Sequence, residues 1–404
     1  MKLHKRNFFP EYTVISLPGS KSVSHRVLIA ATLSGLPINL IHGLSDCDDT
    51  RYLLRAIQNP QQEIYDFGDG ATPLHFFMAM AAAQNRSCTL TGTDRLIQRP
   101  HEDMIEVLRH CDAELEQNQQ EICIQKGIQS FRHITADASR SSQHISAMML
   151  VAPVFKGNKE ILLKGNPASV PYLKLTASVL QQFGIQTSIL DKKIVIDDGE
   201  YKAPNNIVIE PDWSSAAFFY SLVACEPNVS ILLKGLNLQS QQGDAEIAVF
   251  YNELGVTSTQ TEDGVLIRHN GGINPNPTFH LINHPDCAPA LLAVCSLLGV
   301  DAVFTGLENL ANKESDRLQA MNENLQQVGI TITADAGVYK LLFNHYSDNH
   351  SNLINFQSHN DHRIVMAMAV FGSKYNITID NSDCVNKSFP GFWEQWSHWF
   401  QAEP

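Results

Sequence analysis

The sequence has too few basic residues to favour a polyanionic macromolecule as partner. It is 404 residues long and carries 29 Lys and Arg against 42 Asp and Glu, a formal net charge of −13. Nucleic acids and anionic membranes bind proteins mainly through basic surfaces, so this balance argues against both. No apolar run approaches the length of a membrane span. The first residues, MKLHKRNFFPEYTV, lack the apolar core of a signal peptide, and we therefore expect a cytoplasmic protein.

The eight cysteines form no recognisable metal or redox motif. They are scattered, no Cys-x-x-Cys pair occurs, and no His/Cys spacing resembles a zinc site. Scattered thiols of this kind are typical of buried cysteines in a reducing compartment. Hydrophobic residues make up 44% of the chain and charged residues 18%, the balance of a globular protein with a core. The length favours two domains over one.

The sequence does contain one pattern that recurs six times. A polar or small cap precedes an apolar, helix-like run that ends near Gly, Pro or Cys. The six runs begin at Ser20, Asp69, Ser139, Asp212, Asp286 and Asn360. Runs that are apolar all round, such as 218–224 and 291–298, are typical of helices inside a domain. Short β-rich segments between them predict surrounding sheets, so we expect an α/β fold of repeated units.

Six units suggest two domains of three repeats each. The chain is predicted to cross between them near Pro18-Gly19 and near Pro211, because both positions favour turns. The first domain is then discontinuous, residues 1–18 plus 212–404, and the second comprises residues 19–211. Further amphipathic helices are predicted at 102–111, 172–183, 244–254, 315–328 and 390–400.

The stretch LPGSKSVSHR, Leu17 to Arg26, has the composition of an anion site. Lys21 and Ser22 fall at a predicted helix N-terminus, where free N–H groups and the helix dipole favour an anion. Ser22 and Arg26 are four positions apart and share one helix face. An ordinary capped helix with solvated basic residues explains this stretch equally well on its own.

Other polar clusters also precede helix-like runs. Ser141, Ser142 and Gln143 suit a phosphate ester, although plain capping explains them as well. Asp286 is either an unremarkable N-cap or, in a closed cleft, a proton acceptor. Seven cations are predicted beside helix starts: Lys21, Arg26, Arg99, Lys313, Arg317, Arg363 and Lys387. As a set they suit substrates that carry several negative charges.

The order of these motifs resembles that of the 5-enolpyruvylshikimate-3-phosphate synthase family. The resemblance runs from about Val14 to Trp396. It is carried by LPGSKSVSHR, GDGAT at 68–72, Gln98-Arg99-Pro100, Ser141-Ser142-Gln143, Ser169 to Tyr172, Pro285-Asp286, KESDR at 313–317, NDHR at 360–363 and KSFP at 387–390. SKSxSxR, KExDR and NDHR in this order are specific. The resemblance implies two domains, each an inside-out α/β barrel of three repeats with parallel helices and mixed four-stranded sheets.

The resemblance also implies a reaction and its site residues. The family transfers the enolpyruvyl group of phosphoenolpyruvate to the 5-hydroxyl of shikimate 3-phosphate and releases phosphate, on the route to chorismate and the aromatic amino acids. A monomer without metal or organic cofactor is implied. The implied shikimate 3-phosphate contacts are Lys21, Ser22, Arg26, Ser141, Ser142, Gln143, Ser169, Tyr172, Asp286, Asn309 and Lys313. The implied phosphoenolpyruvate contacts are Lys21, Ala71, Arg99, Gln143, Arg317, Arg363 and Lys387. Glu314 would protonate C3, Asp286 would act as base, and Lys21 would assist.

Most departures from the family pattern fall in one loop. Asp69 replaces a usual Asn and His75 a usual Arg, and both changes should weaken phosphoenolpyruvate binding. Ala71 replaces a usual Gly, and its methyl should narrow the pocket. We therefore expect poor inhibition by glyphosate, which is larger than phosphoenolpyruvate. His25 likewise replaces a usual Asn.

Two alternatives stay open at this point. The sister family, UDP-N-acetylglucosamine enolpyruvyl transferase, has a reactive Cys where this chain has Asp94. A catalytically impaired relative that only binds anionic metabolites would explain Asp69 and His75, whereas the intact Lys21 and Glu314 argue against it.

Overall fold

The computed structural model describes residues 1–5, 9–99, 101–344 and 353–403, so Pro100 of the motif at 98–100 lies outside the described residues. The chain divides into two compact units. The split unit comprises Met1–Pro18 and Glu210–Pro404, and the inserted unit comprises Gly19–Ile209. The second crossing falls between Ile209 and Glu210, shortly before the predicted boundary at 211/212.

Helices and strands alternate along most of the chain. The helices are α1 (Lys21–Ser34), α2 (Asp48–Gln58), α3 (Ala71–Ala83), α4 (Asp94–Gln98), α5 (Glu102–Arg109), α6 (Gln143–Val151), α7 (Val170–Gln182), α8 (Trp213–Cys225), α9 (Ile247–Asn252), α10 (Ala288–Leu298), α11 (Arg317–Gln326), α12 (His362–Ala369) and α13 (Phe392–Trp396). The strands are β1 (Lys2–Lys5), β2 (Tyr12–Ile15), β3 (Ile41–His42), β4 (Ile64–Asp66), β5 (Cys88–Thr91), β6 (Glu114–Gln117), β7 (Ile122–Lys126), β8 (His133–Asp137), β9 (Lys159–Lys164), β10 (Thr187–Leu190), β11 (Lys193–Ile196), β12 (Ile207–Val208), β13 (Ser230–Lys234), β14 (Leu254–Gln260), β15 (Gly264–Ile273), β16 (Thr278–His280), β17 (Val303–Thr305), β18 (Ile330–Asp335), β19 (Val338–Phe343), β20 (Ile354–Phe356), β21 (Ile377–Ile379) and β22 (Phe400–Glu403). No helix in these described parts of the chain is both long and apolar enough to span a membrane.

The split unit is built from three mixed four-stranded sheets. Their strand orders are β14-β15-β13-β2, β16-β17-β19-β18 and β20-β21-β1-β22. In the first sheet, β13 pairs parallel with β2 and antiparallel with β15. Residues along β2 alternate, with Thr13 and Ile15 buried and Tyr12 and Val14 exposed. One face of the sheet therefore packs on the core, as period-2 alternation requires.

The core of the split unit consists of helices that are apolar on every side. All residues of α8 from Trp213 to Ala224 are buried, and α10 is buried from Ala288 to Ser296. A helix without a polar face is stable only where other elements surround it. The predicted layering, with apolar helices inside and sheets outside, is confirmed.

The inserted unit repeats this plan with one reduced repeat. Two of its sheets are four-stranded, with orders β4-β5-β7-β6 and β10-β11-β9-β8. In the described residues the third sheet has two strands, β12 and β3, which pair in parallel. Residues 59–63, between α2 and β4, are too few to form the hairpin that completes the other sheets. This repeat therefore departs from the four strands predicted for every sheet.

Two predicted amphipathic helices are shorter in the structure. The segment predicted at 244–254 forms a 3-10 turn followed by α9, and Leu254 already begins β14. The segment predicted at 390–400 contains only α13, and Phe400 begins β22. Phe400 stacks on Trp396 with ring centroids 5.4 Å apart. Packing and strand pairing, which local propensity does not encode, decide where these helices end.

Candidate active site

Lys21 begins α1 and is held by a carboxylate of the next helix. Ser20 caps α1, its hydroxyl accepting the backbone N–H of Val23. Nζ of Lys21 lies 3.0 Å from Oδ2 of Asp49, which is 3% exposed. Asp49 belongs to α2, which the pattern of six apolar runs does not include, and sequence analysis missed it. The pair orients the ammonium group at the helix start.

Arg26, one turn further along α1, is a buried cation among neutral acceptors. In the described residues its guanidinium donates to Oγ1 of Thr176 (2.8 Å), the carbonyl of Ser22 (2.8 Å), Oγ of Ser146 (3.2 Å) and the carbonyl of Tyr172 (3.3 Å). Burial lowers the pKa of Arg26 to about 10. A buried charge is costly without a counter-charge, so this arrangement favours an anion as the missing partner over a purely structural role.

Two further helix starts carry predicted site residues of the inserted unit. Gln143 begins α6, and its Nε2 donates to Oγ1 of Thr72 in α3, 2.9 Å away. Ser142 is the N-cap of α6, but its hydroxyl accepts no hydrogen bond from that helix. Ser169, the N-cap of α7, has a φ of +58°. A left-handed serine costs on the order of 1 kcal/mol, and such strain is typical of functional sites.

The loop before α3 connects these helix starts with Lys21. Ala71 is the first residue of α3 and is 8% exposed. A Cβ at Gly70 would lie 2.6 Å from Cγ of Pro73 and 3.1 Å from Oδ1 of Asp49, so only glycine fits. The loop therefore packs directly on the carboxylate that holds Lys21.

The residues that depart from the family pattern make contacts within the inserted unit. Asp69 accepts a hydrogen bond from the hydroxyl of Thr93, the N-cap of α4. His75, one turn into α3, lies 2.8 Å from His101, ring nitrogen to ring nitrogen. Arg99 is the C-cap of α4, so it follows one helix as well as preceding another.

In the split unit, Arg317 is held by three carboxylates. The guanidinium, 1% exposed, donates to Oδ2 of Asp361 (2.8 Å), to Oδ1 of Asp286 (2.8 Å) and to Oε2 of Glu314 (2.6 Å). Burial alone would lower the pKa of Arg317, but the charges of Asp361, Glu314 and Asp286 raise it well above its usual value. Arg317 is therefore a permanently charged group of fixed orientation.

Arg363, on α12, also contacts the carboxylate of Asp286. Its Nη2 lies 3.2 Å from Oδ2 of Asp286, so the two arginines bind opposite oxygens of one carboxylate. In the described residues, the buried Nε and Nη1 of Arg363 have no hydrogen-bond partner. Burial alone would raise the pKa of Asp286, but Arg363, Arg317 and Lys313 outweigh it and hold the pKa well below its usual value.

The structure adds two details to the sequence interpretation. Asp286 precedes α10, whose N-cap is Cys287, so its carboxylate does not cap the helix. Lys313 and Arg317 do not share a helix, because Asp316 caps α11 by accepting the N–H of Gln319 at 3.0 Å. The other predicted residues lie on two 3-10 turns: Asn309 in Glu308–Asn312, with Lys313 as its C-cap, and Lys387 at the end of Ser382–Lys387.

Asp361 is the second residue that sequence analysis did not assign to the site. It is fully buried and caps α12 by accepting the backbone N–H of Arg363 at 2.9 Å. It also accepts the hydroxyl of Ser315 at 3.1 Å and binds Arg317 through both oxygens. The NDHR motif contained the signal, because an Asp before a buried helix that starts with basic residues can both cap that helix and pair with a cation.

The repeated α/β units of this chain form a fold that is shared with a solved EPSP synthase and a solved enolpyruvyl transferase. EPSP synthase from Acinetobacter baumannii superposes with a TM-score of 0.74 at 21% identity, covering 100% of this chain and 99% of that one. The enolpyruvyl transferase NikO from Streptomyces tendae superposes with a TM-score of 0.71 at 13% identity, again over 100% and 99% of the two chains. At these identities the similarity shows the fold.

The chain belongs to the EPSP synthase (3-phosphoshikimate 1-carboxyvinyltransferase) family, whose model matches residues 55–396. The 3-phosphoshikimate 1-carboxyvinyltransferase of Bacteroides fragilis strain YCH46 is 33% identical over 385 residues, 94% of this chain and 93% of that protein. The protein of the same name from Methanoregula boonei is 29% identical over 94% of this chain and 95% of its own length. The resemblance seen in the sequence is confirmed.

Proposed function

We propose that this protein is a 3-phosphoshikimate 1-carboxyvinyltransferase, which transfers the enolpyruvyl group of phosphoenolpyruvate to the 5-hydroxyl of shikimate 3-phosphate. Family membership supports the proposal. One observation carries it: the carboxylates of Asp286 and Glu314 lie within 2.6–3.2 Å of the arginines Arg317 and Arg363. The candidate acid and base thus lie beside the cations suited to a phosphorylated carboxylic acid.

The substrate assignments follow the chemistry of each cluster. Shikimate 3-phosphate is assigned to Lys21, Ser22, Arg26, Ser141, Ser142, Gln143, Ser169, Tyr172, Asp286, Asn309 and Lys313. Phosphoenolpyruvate is assigned to Lys21, Ala71, Arg99, Gln143, Arg317, Arg363 and Lys387. Among the residues that the structure describes, Arg26 has only neutral hydrogen-bond acceptors, and Nε and Nη1 of Arg363 have no acceptor. Both observations support these assignments, because a bound anion would satisfy both arginines.

The reaction proceeds by addition and elimination. Asp286 accepts the proton of the 5-hydroxyl as its oxygen bonds to C2 of phosphoenolpyruvate, and Glu314 donates a proton to C3. The resulting tetrahedral adduct loses phosphate by cleavage of the bond between C2 and the phosphate oxygen, and loss of a proton from C3 then gives the enolpyruvyl ether. Preplaced cations stabilise the charge that moves onto the leaving phosphate.

Substrate binding changes the basicity of the Asp286 carboxylate. In the free protein Arg363, Arg317 and Lys313 hold its pKa well below the usual value, which makes the carboxylate a weak proton acceptor. A phosphorylated substrate that shares the charge of these arginines raises that pKa. The site therefore acquires a competent base only when it is occupied.

We further propose a monomeric cytoplasmic enzyme whose partners are its two small-molecule substrates. The net charge of −13 supports the exclusion of nucleic acid.

The test is phosphate release from phosphoenolpyruvate, first with shikimate 3-phosphate and then with UDP-N-acetylglucosamine. We expect release with the first acceptor only. Glu314→Gln and Asp286→Asn should each lower the rate on the order of 10²- to 10⁴-fold, whereas Glu323→Gln, an exposed residue of α11, should not. Absence of release with either acceptor would favour a binding protein that does not catalyse.

A further inference from the structure

A hydrogen-bond chain runs through two imidazoles of the inserted unit. Nε2 of His101, the N-cap of α5, lies 2.8 Å from the carbonyl oxygen of Leu96. Nδ1 of His101 lies 2.8 Å from Nε2 of His75 on α3. These two hydrogen bonds therefore link the segment that carries Arg99 to α3, the helix that begins at Ala71.

The geometry fixes the protons of this chain. A carbonyl oxygen only accepts, so Nε2 of His101 carries a hydrogen and, in the neutral ring, Nδ1 accepts. Nε2 of His75 must then be the donor to His101. Nδ1 of His75 is left without a proton, and it is a buried atom with no hydrogen-bond partner in the described residues. Of the four ring nitrogens, it is the one that can gain a proton without breaking the chain.

The charged groups around His75 oppose its protonation in the free protein. Burial lowers the pKa of His75 well below its usual value, and His101, His144 and Arg99 lower it further, while the side chain of Gln143 opposes them. Burial also lowers the pKa of His101, with Arg99 adding to this effect and Leu96 and Glu102 opposing it. Burial also lowers the pKa of His144, whereas the charges of Asp103 and Asp137 raise it. His75 therefore stays neutral until negative charge arrives.

We propose that His75 is a proton-linked positioning residue of the phosphoenolpyruvate site: a phosphate dianion that binds beside Gln143 and Arg99 is accompanied by uptake of one proton from solvent at Nδ1 of His75. The protonated ring then donates to Oε1 of Gln143, whose Nε2 already donates to Thr72. This inference rests on the proposed function for the identity of the anion. The dianion supplies the negative charge that the buried cluster lacks, and fixing the Gln143 amide orients a substrate contact.

The test counts the protons taken up on binding. Inorganic phosphate is titrated calorimetrically into the protein, with shikimate 3-phosphate present, at pH 7 in buffers of different ionisation enthalpy. We expect the wild type to take up about one proton more than His75→Gln. The ionisation of phosphate itself is common to both proteins and cancels. His75→Arg, which is charged at every pH used, should bind phosphate without the extra proton.

Steady-state kinetics separate positioning from folding. We expect His75→Gln to raise KM for phosphoenolpyruvate on the order of tenfold, as expected for loss of a charge-assisted hydrogen bond, with a smaller change in kcat. The difference from the wild type should shrink as pH rises. His110→Gln, at the exposed histidine that is the C-cap of α5, is the matched control and should behave as the wild type.

Equal proton uptake by the wild type and His75→Gln would overturn the inference, as would failure of the wild type to bind phosphate. Failure of the proposed function has a different signature, since it is the absence of phosphate release from phosphoenolpyruvate. The calorimetric experiment involves no turnover, so the two results are independent.

Discussion

Asp361→Asn isolates the charge that holds Arg317. Asp361 is fully buried and binds Arg317 with Oδ2 at 2.8 Å from Nε and Oδ1 at 3.3 Å from Nη2. It also caps α12 through the backbone N–H of Arg363. Asn is as good an N-cap as Asp, so the substitution keeps the cap and removes the charge. The side-chain volume is nearly unchanged.

The expected destabilisation follows from what Arg317 retains. Removing one partner of a buried ion pair costs about 3–5 kcal/mol. Arg317 keeps Asp286 and Glu314 at 2.8 and 2.6 Å, which places the variant at the lower end, about 3 kcal/mol. The matched control is Asp316→Asn. Asp316 is an exposed N-cap of α11 without a buried arginine as partner in the described residues, and we expect a change within about 0.5 kcal/mol.

Urea unfolding followed by tryptophan fluorescence measures this difference in stability for the split unit. All four tryptophans, Trp213, Trp393, Trp396 and Trp399, belong to the split unit, as do both aspartates. The signal therefore reports the unfolding of the part of the chain that carries the substitution. An Asp361→Asn variant as stable as Asp316→Asn would refute the reasoning that Asp361 compensates the charge of Arg317.

Three further predictions concern the inserted unit. His25 is fully buried, and burial lowers its pKa to about 3. Below pH 6.5 the unfolded chain therefore binds a proton that the native state excludes, and the free energy of unfolding falls by about 1.4 kcal/mol per pH unit. His25→Asn should flatten this pH dependence between pH 6.5 and 4.5, measured by circular dichroism, and an unchanged slope would contradict a neutral, buried His25. Ala71→Gly removes a methyl at the start of α3 and should increase inhibition by glyphosate on the order of tenfold, as relief of overpacking suggests; equal inhibition would show that the methyl does not narrow the site. Arg26→Lys cannot replace four hydrogen bonds with one ammonium group and should raise KM for shikimate 3-phosphate on the order of tenfold, with KM for phosphoenolpyruvate as the internal control.

The central helices were predictable because their composition leaves one solution. Segments such as α8 and α10 are apolar on nearly all sides, so they form stable helices only in a core. The ends of the amphipathic helices were less predictable. The last predicted helix stops at Trp396 because Phe400 pairs in a sheet with β1, a partner almost the whole chain away.

The site residues were partly predictable for a similar reason. Caps and helix starts are local features, so Lys21, Ser142 and Arg317 were placed at them from the sequence. Their partners were not. Asp49 and Asp361 were not assigned to the site, because an acidic residue at a helix start has the same local pattern whether or not an arginine or lysine meets it.

The sequence by itself determined the repeated helix-and-sheet units, the positions of the cations and the family of the chain. Tertiary structure alone decided which charges meet. Arg26 reaches Thr176, Arg363 reaches Asp286, and His75 reaches His101, each through the packing of helices far apart in the chain. Local propensity acts over a few residues, whereas the pKa of each group depends on neighbours that the fold brings within a few ångströms.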